Sequence, residues 1–225
     1  MTPVLRRIVQ LFVMTLLQAT LLFISAGSVR WLAGWGYIGL YMLMLVGAAF
    51  IMIPLRRDVV EERSKGTKGG KIWDLYLTRL MIIPSFGLLI VSGLDERWGW
   101  THPLQPWIRS LGVFFFLLGF TLVLWAMYTN KYFSQTVRIQ TERGHAAVTG
   151  GPYRIVRHPG YLGMILSLLG TVFILDSLWG LTCFAFYLAV IITRTALEDR
   201  TLQAELPGYQ EFTQKTKYRI IPGIW

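Results

Sequence analysis

Four apolar stretches, Ile8 to Gly27, Leu32 to Leu55, Leu75 to Leu94 and Ile108 to Thr129, constrain this chain more than any other feature. Each runs for about 20 residues or slightly more, which at about 1.5 Å rise per residue crosses a hydrocarbon core of about 30 Å. A fifth stretch, Tyr161 to Thr193, is too long for one crossing and carries Asp176 and Ser177 near its centre. An unpaired carboxylate at bilayer depth costs at least about 2.5 kcal/mol. The stretch is therefore read as a tight hairpin, Gly160 to Leu175 and Leu178 to Arg194, in preference to one long tilted helix. Each arm would be only about 24 to 26 Å long, short enough to bend, thin the bilayer or stop before the far interface. Composition agrees: 54% of the 225 residues are hydrophobic and 15% are charged, against about 25% charged in soluble domains. The expected fold class is an all-α, multi-pass integral membrane protein with about six transmembrane helices, the last two forming the hairpin.

Arg6 and Arg7 ahead of the first apolar run resemble the start of a signal peptide, but the run exceeds a typical h-region of about 7 to 15 residues. It is read as a retained helix. The single cysteine, Cys183, lies in an apolar segment, so neither a disulfide nor a cysteine metal site is expected. The basic residues divide unevenly. With six helices, one side holds Arg6, Arg7 and the Lys and Arg residues of segments 56–74, 130–159 and the C-terminal tail, whereas the other holds Arg30, Arg97 and Arg109, with Arg79 near a helix start. The positive-inside rule then places both termini in the cytoplasm. The net charge of +10 reads as topology determinants and attraction to anionic lipid, not as a nucleic-acid surface. Trp98, Trp100 and Trp107 fit an interfacial belt on the opposite side, and His102 there has no second ligand-like partner. The segment Arg56 to Lys71 lacks the glycine spacing of a phosphate loop and is read as a flexible linker.

The chemistry is expected after the fourth helix. Residues 130–163, NKYFSQTVRIQTERGHAAVTGGPYRIVRHPGYLG, set glycines and prolines among His145, Tyr153, Arg157, His158 and Tyr161. Irregular backbone near a bilayer is tolerated where protein or a wet cavity covers it, so this segment is a candidate pocket wall. Pro159 suits the first position of a helix. With Arg157 and His158 upstream, that helix start forms a site for an anion such as a ligand carboxylate, or else anchors to phosphate headgroups. The hairpin returns the chain to the same side, bringing Arg194, Glu198 and Asp199 near Arg157, His158 and Tyr161; Arg194 and Glu198, four apart, share a helix face. Such a constellation of both signs complements a ligand with a carboxylate and a cationic amine, as S-adenosylmethionine is. The tail ELPGYQEFTQKTKYRIIPGIW reads as a turn and short amphipathic helix over Glu205 to Phe212, then an apolar end that folds over the pocket or anchors at the interface through Trp225.

The combination GHAAVTGGPYRIVRHPGYLG, then Arg194-x-x-x-Glu198-Asp199, then ELPGYQEF and YRIIPGIW, resembles the membrane-embedded isoprenylcysteine carboxyl methyltransferase family and its bacterial relatives, which include phospholipid N-methyltransferases. The resemblance covers roughly residues 130–225 and leaves the first four helices without family features. It implies a cytoplasmic S-adenosylmethionine pocket in which His145 and the backbone of Ala146, Ala147 and Val148 meet the cofactor. It also implies that Tyr153 and the Arg157, His158, Pro159, Gly160, Tyr161 run line the pocket, with Glu198 and Asp199 holding the cofactor from the second arm. Arg138 falls where the family has a further cofactor contact, often Gln, and Arg194 corresponds to the arginine that engages a substrate carboxyl. Asp199 replaces the second Glu of a common acidic pair, which keeps charge and shortens reach. The resemblance thus divides the chain into a transmembrane region, 1–129, and a cofactor-binding catalytic region, 130–225. It implies methylation of a prenylated or otherwise lipophilic acceptor, on a carboxylate, a phospholipid amine or a small thiol.

Membrane sterol reductases share the HPxYxG and YRIIPGI segments and use NADPH, but commonly have Asn where this chain has Gly160. A non-catalytic scaffold or transporter is the third reading. The first four helices show neither an intramembrane charged pathway nor an internal repeat of the kind many transporters have.

Overall fold

A computed structural model describes residues 1–225, and it is all helical. Five helices are long and apolar enough to cross a membrane: α1 (Pro3–Ala26), α2 (Leu32–Leu55), α4 (Ile72–Trp98), α5 (Pro106–Thr129) and α7 (Gly180–Glu205). The sixth apolar helix, α6 (Pro159–Ile174), has 16 residues, about 24 Å of rise. It is the short arm of the hairpin. The apolar run breaks at 175–179, where Asp176 adopts a left-handed φ of 54°, a conformation its short polar side chain tolerates better than most. The Asp176 carboxylate pairs with Arg109. Beside it, buried Asp95 accepts from Ser177 Oγ at 2.7 Å and from the Thr101 backbone N–H at 2.7 Å, which ties the turn to the end of α4.

The core is shared by the helices: Leu22 of α1, Tyr37 of α2, Leu88 of α4, Phe116 of α5 and Val172 of α6 form one cluster, with Phe184 of α7 packed on it. Phe12, Leu43 and Phe50 instead point outward, as side chains facing lipid do. The α5 and α6 pair meets through Gly112 and Gly119 on one helix and Gly163 and Gly170 on the other. A Cβ at Gly163 would lie 2.9 Å from the Val123 backbone nitrogen and one at Gly112 2.9 Å from that of Ile174. Small residues let the backbones touch, the usual device where lipid removes the hydrophobic drive. This contact seats the N-terminus of α6 against the end of α5, where the irregular segment begins.

Both termini and segments 56–71 and 130–158 lie at one face. The expectation of a flexible linker after α2 fails over its first part: residues Arg57–Ser64 form α3. Val59 and Val60 bury against Met52 and Val4, and buried Glu62 is gripped by Arg138 and Lys65, so the helix is held by tertiary contacts that its length alone would not supply. The glycine-rich remainder is a turn, with Gly66 and Gly69 at φ of 67° and 76°. The short α8 (Tyr209–Lys215) follows α7 through Gly208, at φ 77°.

Candidate functional site

Residues 130–158 contain no long helix, so their polar backbone groups must be satisfied one by one. Tyr132 N–H bonds Asn130 Oδ1 at 2.8 Å, and buried Gln140 donates from Nε2 to the Tyr132 carbonyl at 2.7 Å. From the start of α4, Asp74 accepts the Val137 N–H at 2.7 Å, and the Lys71 N–H bonds the Val137 carbonyl at 3.0 Å. Two short 3₁₀ turns, Thr141–Arg143 and Gly151–Arg154, carry the chain to α6.

This scaffold surrounds a cavity of about 560 Å³. One end is lined by the linker and the end of α7 with α8, including His145, Val148, Tyr153, Leu206 and Phe212. The cavity continues to Met14 on α1, Tyr41 on α2, Met81 on α4 and Met164 on α6, side chains carried by the apolar helices. Arg194, Tyr161 and Glu198 also line it. The Tyr161 hydroxyl donates to Glu198 Oε2, and its ring lies 5.3 Å from the Arg194 guanidinium carbon.

Of the residues expected at the site, the structure gathers Arg138, His145, Ala146, Ala147, Val148, Tyr153, Arg157, His158, Gly160, Tyr161, Arg194 and Glu198 around this cavity. Two of the expected residues do not line it. Pro159 is buried behind the wall, and Asp199 is fully buried away from it. Consecutive helix positions do not share a face, so with Glu198 toward the cavity Asp199 points into the protein. There its carboxylate accepts from Arg157 Nε at 2.7 Å and Nη2 at 2.9 Å, Tyr209 Oη at 3.1 Å, Gln203 Nε2 at 2.9 Å and Arg219 Nε at 2.9 Å, with His158 Nε2 at 3.3 Å.

Arg157 spends its remaining nitrogen, Nη1, on the carbonyls of Thr216 and Lys217 at 2.9 and 2.6 Å. The backbone N–H groups of Arg157 and His158 bond the Tyr218 and Arg219 carbonyls. The Arg157 guanidinium and the two N–H groups ahead of this helix start are therefore spent on a brace that fastens the tail. Tyr218 to Trp225 packs against segment 157–158 and does not line the cavity, where α8 supplies Tyr209 and Phe212.

Arg194 also differs from expectation. Buried in α7, it donates from Nε to Asp74 Oδ1 at 2.7 Å and from Nη2 to Asp74 Oδ2 at 3.2 Å and the Gln135 carbonyl at 3.0 Å. Only Nη1, 4.0 Å from Met81 Sδ, lacks an oxygen partner, so one nitrogen is open to a ligand, not the pair that bidentate orientation requires. Asp74, fully buried, was invisible as a site residue in the sequence. Its one signal was a carboxylate in the first turn of an otherwise apolar helix.

His145 accepts the Gln140 N–H at Nδ1, 3.2 Å away, so the proton of the neutral ring sits on Nε2. Burial, then Arg138 and Arg143, pushes its pKa down to about 4. The unfolded chain, with an imidazole near 6.5, therefore binds this proton more readily. His145 contributes no pH dependence above the unfolded value and destabilises the fold progressively as pH falls from about 6.5 toward 4. Melting midpoints of wild type and His145→Gln between pH 4.5 and 8 are expected to differ in slope only below about 6.5. Parallel curves throughout would show that His145 carries no such shift.

Residues 107–206 match the phospholipid methyltransferase family. Protein-S-isoprenylcysteine O-methyltransferase A of Arabidopsis thaliana is 29% identical over 97 residues, 43% of this chain and 41% of that protein. The chain thus spans about two fifths of that relative's length. A probable protein-S-isoprenylcysteine O-methyltransferase of Oryza sativa subsp. indica is 26% identical over 176 residues, 76% of this chain and 91% of the relative. Cobalt-zinc-cadmium resistance protein CzcN of Cupriavidus metallidurans is 28% identical over 151 residues, 64% of this chain and 60% of the relative. The matched region holds α5, the linker, α6 and α7, and its residues supply most of the cavity wall, so the similarity to these methyltransferases falls on the candidate site.

Proposed function

We propose that this protein is an S-adenosylmethionine-dependent methyltransferase that works at the cytoplasmic face of a membrane on a lipophilic acceptor. The observation that carries the reading is the single cavity joining a polar linker to side chains of the apolar helices. At about 560 Å³ it falls within the range of about 300 to 1,000 Å³ that ligand sites occupy. The donor set suits the cofactor. Leu206, Phe212 and Tyr153 offer apolar and aromatic surface for an adenine, the His145 Nε2–H is a donor for a carboxylate, and Glu198 is the only acid on the wall to meet an ammonium or sulfonium. The excess of basic residues at this face supports a cytoplasmic orientation for it and for both termini.

Bound S-adenosylmethionine supplies an electrophilic methyl on a sulfonium, and transfer is an in-line displacement in which alignment and exclusion of water provide most of the catalysis. The chain's own residues divide that work. Arg194 Nη1 steers the acceptor, the other guanidinium nitrogens being fixed by Asp74. Glu198, oriented by the Tyr161 hydroxyl, faces the cationic cofactor and takes the proton if the nucleophile is an amine; a carboxylate nucleophile needs no base. A prenylated cysteine carboxylate, the acceptor in the names of the plant relatives, is the first acceptor to test, with a phospholipid amine or small thiol next.

The test is calorimetric titration of the purified protein with S-adenosylmethionine, S-adenosylhomocysteine and NADPH, followed by methyl transfer with Arg194→Ala and Glu198→Ala. Both adenosyl ligands are expected to bind, and each variant to lose about 100-fold or more in turnover, the scale of a misplaced reacting group. Binding of NADPH alone, or wild-type turnover in both variants, would overturn the assignment.

A further inference from the structure

The cavity wall carries five arginines against one acid, and their states differ. Arg138 is neutralised by Glu62 and Glu142, Arg157 by Asp199, and Arg194 by Asp74. Arg7 on α1 and Arg63 on α3 have no carboxylate partner. Arg7 reaches Gln10 Oε1 at 3.4 Å. Arg63 lies 5.4 Å over the Phe133 ring, touches the Ser134 carbonyl at 3.5 Å, and leaves a buried Nε with no acceptor. Both lie on the α1 and α3 side of the cavity, where Gln10 links them by accepting from Arg7 and donating to the Ser64 carbonyl.

Guanidiniums held out of water without a counter-charge are costly. Burial, then Arg7 and Arg194, pushes the Arg63 pKa down to about 9, which leaves it a cation at neutral pH. The reading above, on which this inference rests, adds a cofactor with a net positive charge to the same cavity. Charge complementarity then requires that the remaining ligand bring negative charge.

We propose that Arg7 and Arg63 form an anion subsite on the α1 and α3 side of the cavity, holding a permanently charged group of the acceptor, a phosphate or a carboxylate, that is separate from the atom methylated. The acceptor is accordingly an amphiphile with an anionic group near its reacting end. Arg7 and Arg63 act as positioning residues: they hold the amphiphile at the bilayer surface while Arg194 and Glu198 address the reacting atom.

The probes are dodecyl phosphate, dodecanoate and dodecanol, added to the full-length protein in neutral maltoside detergent, with the rise in melting midpoint as readout. The two anions are expected to bind at least about 10-fold more tightly than the alcohol. Arg63→Gln and Arg7→Gln are each expected to remove that preference, and Arg63→Lys to restore part of it, all without change in S-adenosylmethionine affinity. Phosphate outranking carboxylate would assign the group to a lipid phosphate, and the reverse to a lipid carboxylate. Equal binding of anions and alcohol, or a preference intact in both Gln variants, would overturn the subsite. Absence of S-adenosylmethionine binding with the anion preference present would overturn the methyltransferase reading and leave the subsite standing.

Discussion

Asp74→Ala is expected to lower stability by about 3 to 5 kcal/mol, because it strands the buried Arg194 without its counter-charge. That is a large share of the margin by which a fold of this size persists. It is also expected to abolish methyl transfer. The carboxylate bonds two nitrogens of Arg194 and the Val137 N–H, so one side chain at the start of α4 positions both the arginine of α7 and the linker. The discriminating measurement is a thermal midpoint in detergent for Asp74→Ala and for the double variant Asp74→Ala/Arg194→Met. A buried pair replaced as a unit by an apolar side chain is often neutral, whereas half a pair is not. Stability should therefore return in the double variant while transfer stays lost. A single variant that melts and turns over like wild type would show that Arg194 does not depend on Asp74.

This pair also marks where reading the chain stops. Span lengths are legible because each apolar run must satisfy its own backbone, and the hairpin is legible because Asp176 interrupts a run too long for one crossing. The linker, Tyr161, Arg194 and Glu198 could be grouped because a hairpin must return to its starting face. Asp74 could not. It lies 120 residues from Arg194, and nothing local distinguishes a first-turn acid that favours the helix dipole from one that holds an arginine across the bundle. The same holds for α3, whose charged eight-residue sequence looks like solvated loop until Arg138 and Met52 are placed beside it. Arg7 and Arg63 read as topology determinants because their exposure to the cavity depends on how α1 and α3 pack. Neighbouring acids at 198 and 199 both read as cofactor contacts, Glu198 with the longer reach; the phase of α7 turns Glu198 to the cavity and Asp199 away from it.

That phase makes Asp199 and Glu198 separable by experiment. Asp199→Ala removes the acceptor for Arg157, Arg219, Gln203 and Tyr209 at once. Arg157 would remain buried with only the Thr216 and Lys217 carbonyls as partners, a loss on the scale of about 3 to 5 kcal/mol for a broken buried pair. The cost falls on the C-terminal unit, because the core shared by α1, α2, α4, α5 and α6 makes no use of this carboxylate. The tail after Phe212 is thus expected to open locally, as segments do when their own free energy of opening drops. Trypsin should then cut at Lys215, Lys217 and Arg219 much faster than in wild type. S-adenosylmethionine binding should fall with it, since Tyr209 and Phe212 of α8 line the cavity, although Asp199 itself reaches no ligand. Glu198→Ala is expected to lose binding while the tail keeps its protection. If Asp199→Ala lost binding with the tail still protected, Asp199 would be a direct ligand contact and the brace would not be its role.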